Sequence, residues 1–97
     1  MKLENALDQI QQLQDDEVIF AKKPWTLGSE AEIGPLDSDL RVPKVIADRG
    51  FAYFLEASVA KEALEVFGDR EPTLDERHAL LMYYAEHDAY PNWVYKS

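Results

Sequence analysis

The side chains of this chain that could bind a metal are two histidines and nineteen carboxylates, because it contains no cysteine. His78 and His87 lie nine residues apart, which on a helix is a rotation of about 900° and places the rings on opposite faces. The His-Glu-x-x-His pattern of helical zinc sites is absent. The sequence therefore predicts no metal site and no disulfide.

A second possible chemistry is calcium binding, because Asp37 and Asp39 have the spacing that begins a calcium loop. Counted from Asp37, however, Arg41 and Val42 occupy the positions where the loop needs a ligand and a glycine. The pattern does not predict a calcium site. It favours turns in which these two carboxylates accept hydrogen bonds from nearby backbone N–H groups.

Acid–base or nucleophilic catalysis has weak support in the sequence. Two catalytic carboxylates need one pKa raised by burial, and the acids of the segment 62–69 lie on a predicted exposed side. His87 and Asp88 could act as a base and its orienter, with Ser29 or Ser38 as nucleophile, but no spacing brings them together. The four glycines stand singly, so there is no phosphate-binding loop. We expect no catalytic residues and no cofactor, with a small enzyme as the third-ranked alternative.

The net charge of −9 opposes binding to nucleic acids or acidic membranes and permits a basic protein partner. Spread evenly, it would place about one net charge in an interface patch of about 800 Å². Steering by charge therefore requires clustering. The segment 28–40 contains four acids and no base, which makes it a candidate cluster. The alternative is that the charge only keeps the protein in solution.

Aromatic residues beside proline or glycine suggest a binding surface, because Trp and Tyr are frequent among the residues that dominate interface energies. Acids near them could form a rim that steers a basic partner. The predicted partner-binding residues are Trp25, Glu30, Glu32, Asp37, Asp39, Glu86, Asp88, Tyr90, Trp93 and Tyr95. The alternative is that the aromatics seal the core edges and that the acids form a solvated face.

The elements that must position these residues are predicted from apolar periodicity. Residues 3–13 form an amphipathic helix, and residues 17–21 form a short strand. Residues 30–33 could form a second strand paired with the first. Residues 42–48 are consistent with either a short helix or an extended segment.

The second half of the chain carries clearer signals. Residues 51–56 are apolar on both faces, which is typical of a central strand covered on both sides. Ser58 is the predicted cap of a helix that ends near Gly68. Thr73 and Glu76 form a capping box for a helix running to about His87. Its predicted inward residues are Leu74, Leu80, Leu81, Tyr84 and Ala85.

The apolar tail 92–95 is predicted to pack as a short strand or hook. The elements together predict one α+β domain over residues 1–97, with about three helices packed on a small, mainly antiparallel sheet. No apolar run approaches the roughly 18 residues needed to span a bilayer, and residues 1–4 lack the features of a signal peptide. We therefore expect a cytoplasmic protein without membrane contact.

Two segments resemble a family of small bacterial domains of uncharacterised function. They are Gly-Phe-Ala-Tyr-Phe-Leu-Glu at residues 50–56, followed by a helix, and Tyr83-Tyr84 with Asp88-Ala89-Tyr90. In size and acidity the chain also resembles single-domain immunity proteins that neutralise bacterial contact-dependent or polymorphic toxins. This resemblance implies a non-enzymatic inhibitor that occludes a basic toxin domain, such as a nuclease. The alternative is a housekeeping adaptor or a homo-oligomer.

Overall fold

The computed structural model describes residues 1–95, in which a three-stranded antiparallel sheet packs with four α-helices. The elements are α1 (Leu3–Asp8), β1 (Glu17–Lys22), β2 (Ala31–Pro35), α2 (Lys44–Ala47), β3 (Phe51–Glu56), α3 (Ala57–Leu64) and α4 (Leu74–His87). The predicted α+β class is confirmed, while Lys96 and Ser97 of the predicted 1–97 domain lie outside the described residues. No helix within residues 1–95 has the length and apolar character required to cross a bilayer.

The strand order is β2-β1-β3, and both pairings are antiparallel. The predicted pairing of the second strand with the first is confirmed. The prediction that residues 51–56 form the central strand is wrong, because β1 occupies that place. The four inner residues of β1 are all buried, whereas β3 is an edge strand and leaves Tyr53 39% exposed.

The sheet has a core on each side, because successive side chains of a strand point to opposite faces. We call the side of Ile19 and Ala21 the first face, where residues of α1, α3 and α4 complete the larger core. The side of Val18 and Phe20 is the second face, with a smaller core completed by Phe51 and by residues of the 36–46 segment. Part of that cover is α2, so the ambiguous stretch 42–48 contains a short helix.

Two predicted helix boundaries needed correction. α1 ends at Asp8, and a 3-10 turn over Ile10–Gln12 continues its apolar arc, so that Leu13 is still buried. The prediction of Ser58 as an N-cap is wrong, because β3 passes directly into α3 and Glu56 occupies that position. The predicted terminator Gly68 is confirmed, since its φ of 58° suits glycine and ends the 3-10 turn after α3.

The capping box at the start of α4 is confirmed in both directions. The Glu76 N–H donates to Thr73 Oγ1 at 3.1 Å, and the Thr73 N–H donates to Glu76 Oε1 at 2.9 Å. Leu80 and Leu81 are buried as predicted, and Tyr84 and Ala85 are half-buried. Leu74 is 52% exposed, so its predicted inward position is wrong. It belongs to the first turn, before α4 reaches the core at His78.

Replacing Thr73 with alanine is expected to lower the free energy of unfolding by about 1 kcal/mol, because the first turn of α4 loses its side-chain acceptor. Thr73→Ser keeps the hydroxyl and is the matched control. Urea denaturation at pH 7 measures both. Equal stability of Thr73→Ala and the wild type would show that solvent replaces the cap fully.

The capping box also predicts that the stability of the fold depends on pH. The hydrogen bond from the Thr73 backbone, followed by that from Arg70, lowers the pKa of Glu76. A carboxyl whose pKa is lower in the folded state stabilises the fold above its unfolded pKa, and this contribution is lost as the pH falls through the folded value. We expect the stability difference between wild type and Glu76→Gln to be present at pH 7 and to disappear in acid.

Candidate functional site

Three tyrosines from α4 and the segment after it lie together at the edge of the first core. The ring centroids of Tyr84 and Tyr90 are 5.3 Å apart, and those of Tyr90 and Tyr95 are 6.5 Å apart. Asp88 makes this possible, because its left-handed φ of 52° ends α4 and turns the chain back. Tyr84 and Tyr90 are half-buried, and Tyr95 is 69% exposed. We call these three residues the tyrosine cluster.

Two carboxylates act on this cluster. Burial raises the pKa of Tyr90, and the negative charges of Glu62 and Glu65 add to the effect of the neighbouring Tyr84. Both glutamates are exposed and come from α3 and the turn that follows it. Within residues 1–95, neither forms an ion pair. An aromatic patch bordered by uncompensated negative charge suits a cationic partner.

Trp93 has a different environment from the tyrosines. It lies in a 3-10 turn over Asn92–Tyr95, so the strand alternative for the tail is wrong. Its ring centroid is 6.2 Å from that of Phe67, and Pro91 before it is buried. Trp93 therefore anchors the tail 92–95 through its contact with Phe67, and this contact positions Tyr95.

Trp25 anchors the irregular segment after β1 to the first core. Its indole Nε1 donates to the Ala21 carbonyl at 3.2 Å, and its ring meets Phe54 edge to face at 4.9 Å. The half-buried ring also lines an open cleft of about 640 Å³, shared with Lys23 and Glu86. The structure thus brings together two predicted site residues, Trp25 and Glu86, while giving Trp25 a structural role.

Glu30 and Glu32 lie on the side of the sheet away from the tyrosine cluster. Glu32 is directly opposite Phe20 in the sheet register, which places it on the second face. Lys22 Nζ lies 3.2 Å from Glu30, and Arg49 Nη1 lies 2.8 Å from Glu32. Both acids are therefore compensated by bases from neighbouring elements, although their own segment contains none.

Asp37 forms the predicted turn, and this expectation is confirmed. Its Oδ1 accepts hydrogen bonds from the backbone N–H groups of Asp39 and Arg41, each at 2.9 Å. The Asp39 side chain is exposed. The Asp37 carboxylate is therefore occupied by its own loop, whereas within residues 1–95 the Asp39 carboxylate accepts no such hydrogen bond, so the expected turn role is not found for Asp39.

The ten predicted site residues therefore do not form one surface. Tyr90, Tyr95 and Glu86 belong with the first face, whereas the acids of the 30–39 segment belong with the second face and its loop. Sequence reasoning missed Glu62 and Glu65 as neighbours of the tyrosines. Their spacing of three residues on the exposed side of a predicted helix was the available signal.

Another pair that the sequence did not predict joins α1 to α4. His78 is 6% exposed, and its Nε2 lies 2.6 Å from Asp8 Oδ1. His78 precedes the buried Leu81 by three residues, which marks it as inward-facing on the helix. This contact holds α1 against α4. Residues 1–95 contain no group of three or more potential metal ligands.

Comparison with known proteins gives one finding. A family model described as "Domain of unknown function (DUF7716)" matches residues 1–93, which include all seven helices and strands. None of the curated proteins and none of the solved structures compared with the chain matches it.

Proposed function

The chain belongs to the DUF7716 family, and we propose, from its surface alone, that it is a non-enzymatic immunity protein that occludes a basic toxin domain, such as a nuclease. The observation that supports the proposal is the tyrosine cluster, together with the negative charges of Glu62 and Glu65 that act on Tyr90. It combines a residue type that is enriched in interface hot spots with charge of the sign that a basic partner needs. The toxin would be met in the cytoplasm.

The mechanism is stoichiometric occlusion in two stages. The net charge of −9 and the carboxylates beside the cluster raise the rate of encounter with a basic domain. The tyrosine rings then exclude water from the contact and slow dissociation. Tyr95 contributes the largest contact area to this step because it is the most exposed of the three rings.

The test is a rescue experiment with the neighbouring gene. A reading frame that ends in a basic domain should kill cells when expressed alone and should be harmless when this chain is co-expressed. The purified pair should form a one-to-one complex by calorimetry, with an association rate that falls as salt is raised. Failure to rescue cells from any adjacent toxin would contradict the proposal.

Self-association is the second candidate, and the position of β3 favours it. Among residues 1–95, this six-residue strand has a sheet neighbour on one side only, and an edge strand can pair with a strand of another chain. Native mass spectrometry separates the candidates. A stable homo-oligomer that does not bind the toxin would support self-association as an adaptor. A monomer that binds the toxin would support the immunity protein.

A further inference from the structure

A pocket of about 390 Å³ lies between the end of α3, the loop after it and the start of α4. The residues that line it include the apolar Leu64, Phe67 and Pro72 and the bases Arg70 and Arg77. Small-ligand sites have volumes of about 300–1,000 Å³ and combine apolar walls with a few convergent polar groups. The pocket is an open one whose volume lies in this range and whose lining mixes apolar and polar residues, and it shares no residue with the tyrosine cluster.

Arg77 is unusual among the bases of this acidic chain. Within residues 1–95, five bases hold a carboxylate: Lys22, Lys44, Arg49, Lys61 and Arg70. Three others without an ion pair, Lys2, Lys23 and Arg41, are exposed to solvent. Arg77 alone in this range is half-buried with neither an ion pair nor a side-chain hydrogen bond. Its side-chain nitrogens have no protein acceptor and stay in contact with solvent, so they are free to donate to an anion that enters the pocket.

Arg70 is held where it can bind the same ligand as Arg77. Its Nη1 donates to Glu76 at 2.9 Å, and its guanidinium carbon lies 5.0 Å from the centre of the Phe67 ring. A guanidinium has five N–H donors, and this contact uses one of them. Arg70 is thus fixed by two contacts and keeps donors for a ligand beside Arg77.

We propose that this pocket binds a small organic monocarboxylate, with its carboxylate on Arg77 and Arg70 and its apolar body against Leu64, Phe67 and Pro72. Glu71 also lines the pocket, and Glu76 already offsets part of the charge of Arg70. The two guanidiniums and the two carboxylates leave a local net charge near zero, which opposes a doubly charged phosphate more than a singly charged carboxylate. The proposal is independent of toxin binding.

The test is an NMR titration of the ¹⁵N-labelled protein with benzoate. We expect saturable shifts confined to residues 64–77. Acetate lacks the apolar body, benzamide lacks the charge, and inorganic phosphate carries more charge. Each should bind at least about tenfold more weakly than benzoate. Benzamide or phosphate binding as tightly as benzoate would overturn the proposal.

Two variants assign the binding to Arg77. Arg77→Ala should weaken benzoate binding at least about tenfold, whereas Arg41→Ala removes an exposed base elsewhere and should leave it unchanged. Arg77→Lys preserves the charge without the planar fork and should give an intermediate affinity, which keeps the test valid if the alanine variant unfolds. If Arg41→Ala weakened benzoate binding as much as Arg77→Ala, the affinity would depend only on net charge, and the proposed site would be refuted.

Discussion

Replacing Phe54 with alanine is expected to lower the free energy of unfolding by about 3–5 kcal/mol. Phe54 is 1% exposed within the larger core, and its ring supports Trp25 at a centroid distance of 4.9 Å. The substitution leaves a cavity beneath the segment that follows β1. Because small domains are stable by only about 5–15 kcal/mol, the loss is a large fraction of the total. Urea denaturation with matched m-values measures it.

Tyr53→Ala is the control, because it removes a neighbouring aromatic from the same strand. Tyr53 is 39% exposed at the sheet edge, so we expect a loss of at most about 1 kcal/mol. The Phe54 variant should also change the fluorescence of Trp25, measured in a Trp93→Phe background. Similar losses for Phe54→Ala and Tyr53→Ala would mean that β3 does not present Phe54 to the core.

The sequence predicted the features that depend on local chemistry. The capping box needs only Thr73 and Glu76, and the end of the α3 segment needs only Gly68. The capping box is a pair of hydrogen bonds within one turn of the chain, and the end at Gly68 depends on the backbone angle of one residue. The structure confirms both. Apolar periodicity likewise located the strands and the two longer helices, because the spacing of buried residues is set by the geometry of each element.

Strand order could not be predicted in the same way. β1 and β3 both have apolar residues on two faces, so each satisfies the pattern of a central strand. The choice depends on which strand pairs on both sides, and this is a property of the whole sheet. A register shift between Ile19 and Phe20 further changes which residues of β3 face the core.

The candidate site shows why charge in sequence differs from charge in space. Glu30 and Glu32 lie in a base-free segment, yet Lys22 and Arg49 reach them from other elements. Conversely, Glu62 is near Tyr90 because the chain turns back after α4. Neither relation follows from spacing along the chain. The sequence therefore placed the candidate acidic cluster on the second-face side, whereas the charges that act on Tyr90 come from Glu62 and Glu65.

Replacing Tyr95 with alanine is expected to weaken binding to the toxin identified by rescue by about thirtyfold or more, about 2 kcal/mol. The ring is 69% exposed, so its removal should leave the free energy of unfolding nearly unchanged. Most of the effect should appear as faster dissociation. Tyr83→Ala is the matched control, because Tyr83 packs on His87 at a centroid distance of 4.3 Å, outside the cluster.

A pair of charge variants decides which face of the sheet the toxin contacts. Glu62→Gln with Glu65→Gln should slow association and flatten its salt dependence, because these carboxylates border the cluster. Glu30→Gln with Asp39→Asn changes the net charge equally on the second-face side and should have a smaller effect. If the second pair of substitutions slowed association as much as the first, the association rate would depend on the net charge of the protein and not on the position of the carboxylates. A greater effect of the second pair, with Tyr95→Ala silent, would place the interface on the second face.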